Sequence, residues 1–346
     1  MPMDLPFISV VIPVKNAERY INQCLQSLKK LDYPADKYEI IISDSSSNDT
    51  TRQIAASLGA CVIDAGGESV CAGRNSGLKE AKGELIAFSD ADCVMDREWL
   101  KNSVKYFEDE KVCCVGGPSL IPEDETVFGK ACGFIFSFSL FTGGSPYGRY
   151  FDRVRQVSHN AGCNAIYRRS ALEKVFPIEE SFTDGEDVIT NKRLKDLGYR
   201  FLFTPDTKLW HYRSSYSKRF WRQNYRYGIG RVLIGRAYKE LLNPMHIISG
   251  FSIPLIVLVL AVAAWAGLNF LSGVVSAAIL VLAFFFLLAW IRTQSFAVAL
   301  RVPMAIIYLL IPWSLGFMKE TFFPSILNIS RTSNRKEVGE TLNIKH

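Results

Sequence analysis

The chain has 346 residues, of which 49% are hydrophobic, and a formal net charge of +6 at pH 7. This length suits one large domain with an appendage, or two ordinary domains. The composition argues against a uniformly soluble chain, because residues 241–291 contain no Asp, Glu, Lys or Arg. This apolar stretch is long enough for two bilayer crossings of roughly 20 residues each.

Strand and helix patterns alternate over the first 116 residues. Short apolar runs predict strands at Ile8–Val14 and at residues 38–43, 61–64, 84–89 and 111–116. Apolar residues at helical spacing predict helices at residues 20–31, 50–58, 70–81 and 96–107. Repeated strand–helix units predict an α/β fold with a mostly parallel sheet and helices on both faces.

The patterns become less regular after residue 116. Residues 118–160 are rich in Gly, Ser and Phe and give no clear assignment, and the aromatic run at 134–141 suits either a core or a membrane-proximal surface. Helices are predicted at residues 171–175 and 187–197, and a strand at Arg200–Phe203. Residues 247–268 and 271–291 predict membrane helices. Residues 302–318 form a shorter apolar segment with two prolines, which leaves open whether it spans the bilayer or lies at its surface.

Polar side chains follow three of the predicted strands, at residues 13–18, 44–49 and 90–92. Each group by itself is consistent with a turn or a helix cap. Ligands of open parallel sheets bind beyond the carboxyl ends of the strands. Three such groups therefore predict a binding site at one edge of the sheet.

Asp90 and Asp92 predict a metal site at that edge. Carboxylates alone would repel a nucleoside diphosphate, whereas Mg²⁺ or Mn²⁺ takes oxygen ligands from both sides. Such an ion also stabilises the charge that develops on a departing diphosphate. Arg74, near the start of the helix predicted at 70–81, is a second cationic candidate. The simpler alternatives are a solvated turn for the two acids and an ordinary surface position for Arg74.

Glu186 and Asp187 precede an amphipathic helical pattern. The helix dipole favours the ionised form of a carboxylate in a first turn. The ionised form is the one that a general base needs. Asp187 is therefore a candidate base, although helix capping also explains acids at this position.

Read in order, these motifs resemble those of glycosyltransferase family 2, whose catalytic domain has the GT-A fold, and the resemblance covers residues 7–230. On the nucleotide side it implies that Pro13, Asn16 and Glu18 belong to the loop that encloses the nucleotide. Asp44 would contact the base. Ser45 stands where the family often has a second acid, which leaves the contacts to base and ribose open.

For the metal, the resemblance assigns residues 89–92 to the DXD motif and residues 74–77 to the segment before it. Asp90 would face the nucleotide and Asp92 would be the main ligand of Mg²⁺ or Mn²⁺. His211 stands where some members place a histidine that contacts the metal or the diphosphate. A purely structural histidine is the alternative.

On the acceptor side, residues 160–169 resemble the family's glycine–asparagine segment, which implies an acceptor-side role for Asn164. Glu186-Asp187 matches the family's ED motif, which implies that Asp187 is the base. Gln223, Arg226 and Tyr227 resemble the QxxRW motif of processive members, with Tyr in place of Trp. An interfacial helix is the alternative for this stretch, so processivity stays open.

Residues 213–239 contain eight basic residues, no acid and several aromatic rings. This combination favours a cytoplasmic membrane interface over a nucleic-acid site. The expected organisation is a cytosolic GT-A catalytic domain over residues 1–212, a basic aromatic interfacial segment over 213–245, a membrane domain of two to three helices over 246–325 and a polar tail over 326–346. No signal peptide is evident, which favours a cytosolic catalytic domain on a multi-pass membrane protein.

The eight cysteines show no metal-type spacing. Cys24, Cys61 and Cys113 lie in runs that predict buried strand or helix. Buried reduced thiols in a cytosolic domain explain such positions.

The expected function is an inverting, metal-dependent transfer of a sugar from a nucleotide diphosphate sugar to a lipid-linked or membrane-proximal glycan acceptor. The expected partners are this donor, this acceptor and membrane lipid, with no nucleic acid. One alternative is a sugar-phosphate nucleotidyltransferase, but residues 14–18 lack the glycine-rich loop of those enzymes. The other is a non-catalytic membrane scaffold. The sugar, the nucleotide, the acceptor and the oligomeric state stay open.

Overall fold

A computed structural model describes residues 5–143, 145–149, 151–178, 180, 182, 184–212 and 216–325; the predicted polar tail at 326–346 lies outside the described residues. The strands are β1 (Ile8–Val14), β2 (Tyr38–Asp44), β3 (Cys61–Asp64), β4 (Leu85–Ser89), β5 (Cys93–Met95), β6 (Val112–Gly116), β7 (Ser119–Leu120), β8 (Arg155–Val157), β9 (Asn164–Arg168), β10 (Arg200–Phe203) and β11 (Leu209–His211). The helices are α1 (Glu18–Leu28), α2 (Thr51–Ser57), α3 (Val70–Glu80), α4 (Trp99–Val104), α5 (Val127–Phe136), α6 (Ser139–Thr142), α7 (Arg169–Leu172), α8 (Glu186–Asp196), α9 (Ser217–Ala237), α10 (Pro244–Gly250), α11 (Ser252–Ala266), α12 (Leu268–Thr293) and α13 (Phe296–Phe322).

The main sheet has the strand order β3-β2-β1-β4-β9-β6-β10-β8 among the described residues. Strands β3, β2, β1 and β4 are parallel, as the alternating pattern predicts. Strand β9 runs antiparallel to both of its neighbours, and β8 is antiparallel at the edge. The α/β class is therefore confirmed, while the sheet is mixed rather than parallel throughout.

Strand β1 shows how the sheet is covered on both faces. Val10 and Ile12 pack in one hydrophobic cluster with Ile21 and Leu25 of α1. Val11, between them, points to the other face and packs with Leu78 of α3. Successive side chains of a strand point to opposite faces, so a strand that is buried on both sides has to be apolar throughout.

Two local predictions, for the helix at 96–107 and for Cys61, are wrong, and the segment without a pattern gains an assignment. The helix predicted at 96–107 is only α4, followed by a 3₁₀ turn at Lys105–Glu108, and β5 precedes it. The segment 118–160, which gave no pattern, contains α5, α6 and the short strands β7 and β8. Cys61 is exposed, because the short strand β3 is an edge of the main sheet; the other seven cysteines are buried.

Two of the C-terminal helices, α12 and α13, are long and apolar enough to cross a membrane. Helices α10 and α11 meet at a bend of 62° and would make a third span if they form one broken crossing. The third apolar segment is longer than residues 302–318, because α13 extends over 27 residues with Pro303 and Pro312 inside it. In its most apolar window, α13 is 39% buried whereas α12 is 6% buried. Helix α13 is therefore packed against protein over much of its length.

Helix α9, in the basic aromatic segment, is the main partner of α13. A Cβ atom added to Gly228 of α9 would lie 2.2 Å from the Trp313 carbonyl oxygen, and one added to Gly316 would lie 2.0 Å from that of Tyr225. The two backbones therefore approach as closely as glycine allows. This crossing fixes the apolar helix α13 closely against α9.

Candidate active site

One cavity of about 660 Å³ lies at the edge of the sheet where the polar strand ends were predicted. Its wall includes the end of β1 with the following loop, the acids after β4, the start of α8 and one side of α9. It also includes residues of α10 and α13. The cavity thus runs from the sheet edge to the helices that are long enough to span a membrane.

Asp92 lines the cavity and lies between two basic side chains. His211 Nε2 is 3.0 Å from Asp92 Oδ1, and Arg219 Nη2 is 3.5 Å from Asp92 Oδ2. The register of the small sheet places them together, since His211 of β11 is paired with Cys93 of β5, the residue that follows Asp92. Burial raises the pKa of Asp92, but these two neighbours outweigh it and hold that pKa below its usual range. Burial likewise lowers the pKa of His211, while Asp92 raises it to about 10.

The ligand atoms of Asp90, Cys163 and His211 lie within 4.8 Å of one another, as do those of Asp92, Cys93 and His211. These groups combine carboxylate and imidazole, which Mn²⁺ accepts, with a softer thiol. Burial raises the pKa of the Cys93 thiol well above its usual value, so this thiol is protonated and a weak ligand. Burial raises the pKa of Asp90 to about 6, and Arg74 opposes the shift.

Arg74 extends from α3 into the interior and is 4% exposed. Its Nη1 donates a hydrogen bond to Glu186 Oε1, and its Nη2 lies 3.7 Å from Asp90 Oδ1. Its guanidinium carbon also stands 5.3 Å from the centroid of the Phe88 ring. Burial raises the pKa of Glu186 to about 7, although the charge of Arg74 pulls it down. Arg74 thus links the acids after β4 with those at the start of α8.

Asp187 is fixed in the first turn of α8. Gly185, with φ of 97°, turns the chain into that helix in a conformation that favours glycine. The backbone N–H of Gly162 donates to Asp187 Oδ2 over 3.0 Å, and that of Val188 donates to Asp187 Oδ1 over 2.8 Å. Asp187 lines the cavity together with Glu186. Both acids of the predicted ED pair are therefore at the site.

Of the residues predicted on the nucleotide side, Pro13, Asn16, Arg74 and Asp90 line the cavity. Glu18 does not line it; its carboxylate accepts hydrogen bonds from the backbone and hydroxyl of Thr50 and so ties the two loops together. Asp44 is also outside the lining and fully buried. Its Oδ2 accepts from Arg52 and from the Ser47 N–H, whereas its Oδ1 has no described partner.

On the acceptor side, Gln223, Arg226 and Tyr227 all line the cavity from α9. Gln223 donates to the Tyr227 hydroxyl over 2.7 Å, and Arg226 lies 3.4 Å from Asp184. Asn164, in contrast, is 1% exposed and does not line the cavity. Its amide is occupied by Trp99, which donates to it, and by the Thr207 carbonyl, to which it donates. In this structure the amide of Asn164 therefore joins β9 to neighbouring segments and has no free group to offer an acceptor.

Sequence reasoning gave no site role to Arg219, Tyr147, Cys163 or Arg231. All four line the cavity. Tyr147 OH lies 3.5 Å from His211 Nδ1. The two arginines stand in the basic run that predicted an interface, and nothing in their spacing separates them from its other members. The sequence carries no signal for Tyr147, which lies in the segment without a pattern.

Comparison with known proteins agrees with this geometry. Residues 9–176 match the family model described as glycosyl transferase family 2. Glycosyltransferase AglE of Haloferax volcanii is 28% identical over 220 residues, which cover 60% of this chain and 67% of that protein. A second relative is the dolichyl N-acetyl-alpha-D-glucosaminyl phosphate 3-beta-D-2,3-diacetamido-2,3-dideoxy-beta-D-glucuronosyltransferase of Methanococcus voltae. It is 25% identical over 249 residues, 68% of this chain and 76% of that protein.

Among solved structures, the mannosyltransferase PcManGT from Pyrobaculum calidifontis, in complex with GDP-Man and Mn²⁺, superimposes with a TM-score of 0.59 at 22% identity. The match covers 89% of this chain and 88% of that one. At this identity the likeness shows a shared fold, which includes the catalytic domain and extends into the C-terminal helices.

Proposed function

Residues 9–176 of this chain belong to glycosyltransferase family 2 on a GT-A fold, and from this we propose an inverting, metal-dependent transfer. The donor is a nucleotide diphosphate sugar, and the acceptor is a lipid-linked or membrane-proximal glycan. The observation that carries the proposal is that one cavity is lined by Asp90, Asp92 and Asp187 and also by residues of α10 and α13. A soluble acceptor would not require such an arrangement.

The residues around Asp92 fit a divalent cation. The Asp92 carboxylate lies beside two basic groups, His211 and Arg219. A metal ion bound there would supply positive charge to the same carboxylate. Mg²⁺ or Mn²⁺ held by Asp92, with Asp90 and His211 beside it, would neutralise charge on the diphosphate. The Cys93 thiol, whose pKa burial raises, is expected to stay protonated rather than to bind such a hard ion.

Asp187 takes the proton from the acceptor hydroxyl. The hydroxyl oxygen then bonds to the anomeric carbon on the face opposite the diphosphate, and the carbon–oxygen bond to the diphosphate breaks with its electron pair on the leaving group. This substitution inverts the anomeric carbon. The backbone N–H groups of Gly162 and Val188 donate to the two carboxylate oxygens of Asp187 and fix its orientation in the cavity, as a general base requires. Arg74, held by Glu186, adds positive charge behind Asp90.

The acceptor class is supported by the membrane helices and by the relatives. The protein of Methanococcus voltae is named for a dolichyl phosphate-linked acceptor, and two helices of this chain could span a bilayer. We accordingly place the catalytic domain of residues 1–212 in the cytosol. Residues 213–245 lie at the membrane surface and residues 246–325 within the membrane. The basic side chains of α9 suit the anionic cytoplasmic leaflet.

The test is a panel of UDP-, GDP- and dTDP-sugars, each radiolabelled in the sugar, incubated with washed membranes that contain the chain. We expect Mn²⁺-dependent label in the lipid fraction with one donor, and none with Asp92→Ala. Asp36→Asn, a change at an exposed turn position, should keep the wild-type activity. Full activity of Asp92→Ala would refute the metal assignment. A nucleotidyltransferase would instead form the nucleotide sugar from a sugar phosphate, and a scaffold would give no label with any donor.

A further inference from the structure

The cavity continues past Asp187 to an apolar mouth. Leu140 of α6 and Met245 of α10 both line it and are 56% and 37% exposed. Ile248, next to this opening on α10, is 55% exposed as well. Exposed apolar side chains around an opening are costly in water and favourable in lipid. This end of the cavity is therefore suited to an apolar chain.

Arg231 and Trp313 also line the cavity, and each has one buried N–H group without an acceptor among the described residues. Arg231 donates one hydrogen bond, from Nη1 to the Leu241 carbonyl over 3.5 Å, and its buried Nε has no acceptor among the described residues. Arg226 and Arg236 of the same helix form ion pairs with Asp184 and Glu320, whereas Arg231 forms none within 4.0 Å among the described residues. The buried Trp313 Nε1 also lacks an acceptor among the described residues.

Both groups can only donate, so their missing partner is an acceptor. A buried guanidinium without a carboxylate favours an anion, because charge-assisted hydrogen bonds are the strong ones and an unpaired buried charge is costly. The phosphate oxygens of a ligand match both requirements.

The neighbours of Trp313 are themselves fixed by hydrogen bonds. The His246 ring lies 6.3 Å from the Trp313 ring, centroid to centroid. His246 is fixed by a reciprocal pair of hydrogen bonds with Asn243 at the start of α10. The Asn243 amide in turn donates to the Gly143 carbonyl over 3.4 Å, which ties α10 to the end of α6 at the mouth. The Trp313 ring therefore packs beside a fixed side chain and needs little reorganisation to donate to an anion.

We propose that Arg231 and Trp313 bind the phosphate of a lipid-linked acceptor whose apolar chain leaves the cavity through the mouth between α6 and α10. The inference rests on the proposed function, since it sets the acceptor's sugar hydroxyl at Asp187. The charges of Arg231 and Asp187 interact, yet the two groups are more than 4.0 Å apart. A sugar attached to the phosphate would span that gap. A free phosphate ion would leave the apolar mouth without an apolar ligand.

The probe is radiolabelled farnesyl phosphate, which carries the phosphate and an apolar chain without a sugar. It is bound to the full chain in nanodiscs of zwitterionic lipid, with unlabelled farnesyl phosphate, farnesol and inorganic phosphate as competitors. We expect Arg231→Gln to weaken binding about tenfold or more, and Trp313→Phe, which removes the N–H and keeps the ring, to weaken it several-fold. Arg222→Gln, at an exposed position on the same helix, should bind like wild type.

Wild-type affinity in both Arg231→Gln and Trp313→Phe would overturn the proposal, as would displacement of the probe by farnesol or inorganic phosphate as readily as by farnesyl phosphate. Nucleotide-sugar binding by each variant, which needs no acceptor, shows that it is folded; if Arg231→Gln fails this check, Trp313→Phe decides. Binding that depends on Arg231 without any sugar transfer would refute the proposed function and leave this site standing. Sugar transfer by a chain whose probe binding does not depend on Arg231 would refute this site and leave the proposed function standing.

Discussion

The guanidinium of Arg74 donates a hydrogen bond to the carboxylate of Glu186, and both side chains are almost completely buried. The two residues are 112 positions apart in the chain. Their contact joins α3 to the first turn of α8, and so it sets the position of Asp187 relative to Asp90. Because both partners are charged and buried, the loss of either should be costly.

The loss of stability caused by replacing Arg74 should increase with pH, whereas the loss caused by replacing Glu186 should decrease. The pKa of Glu186 is about 7 in the folded protein, above its unfolded value. The stability that this group contributes is therefore lost as the pH rises from the unfolded pKa to the folded pKa. Arg74→Met removes the charge that opposes the shift, raises the pKa of Glu186 further and should cost more stability at pH 8 than at pH 6. The loss at pH 8 should be about 3 kcal/mol or more.

Glu186→Gln has no titrating group at this position, so its cost relative to wild type should be smaller at pH 8 than at pH 6. Thermal unfolding midpoints in detergent at the two pH values measure both variants. Equal shifts at the two pH values would show that Glu186 does not titrate in this range.

Asp187→Asn should remove the base and keep the structure. The asparagine retains an oxygen for the Gly162 N–H, so we expect unchanged binding of the nucleotide sugar. The turnover of the sugar transfer should fall by a factor of about 10² to 10⁴. Asp196→Asn, at an exposed position of the same helix, is the matched control. An Asp187→Asn variant that transfers sugar at the wild-type rate would exclude this residue as the base.

Metal binding should compete with a proton on His211. The pKa of this histidine is about 10, because the effect of Asp92 exceeds that of burial, and only the neutral ring can bind a metal ion. The affinity for Mn²⁺ should therefore rise with pH between 6.5 and 8.5, by up to about tenfold per unit. Calorimetric titration of the full chain with MnCl₂ measures this slope, and His211→Gln should flatten it. If the variant shows the wild-type slope, His211 does not bind the ion.

The exposed thiol of Cys61 can report which side of the membrane holds the catalytic domain. Cys61 is exposed and the other seven cysteines are buried. A membrane-impermeant maleimide should therefore label inverted vesicles, whose cytosolic face is outward, and leave right-side-out vesicles unlabelled. Cys61→Ser should abolish the signal. Labelling of intact right-side-out vesicles alone would place the domain outside the cell.

The strands β1, β2 and β4 were predictable because each is a short apolar run, and the helices α1 and α3 because their apolar residues recur at helical spacing. The acids at the strand ends were predictable for the same reason, since a parallel sheet collects the carboxyl ends of its strands at one edge. The antiparallel β9 was not. Nothing in the run Asn164–Arg168 encodes the direction of the strand beside it, and the two neighbours of β9, β4 and β6, are distant in sequence.

The sequence by itself determined the α/β class, the apolar C-terminal segments and the acids Asp90, Asp92 and Asp187, because these follow from local composition and order along the chain. Only the tertiary structure decided that Arg74 pairs with Glu186, that His211 lies against Asp92, that Asn164 and Asp44 are held away from the cavity, and that Arg231 lines it. Each of these depends on where distant segments pack. Burial and charge neighbours arise from that packing and leave no periodic trace in the sequence.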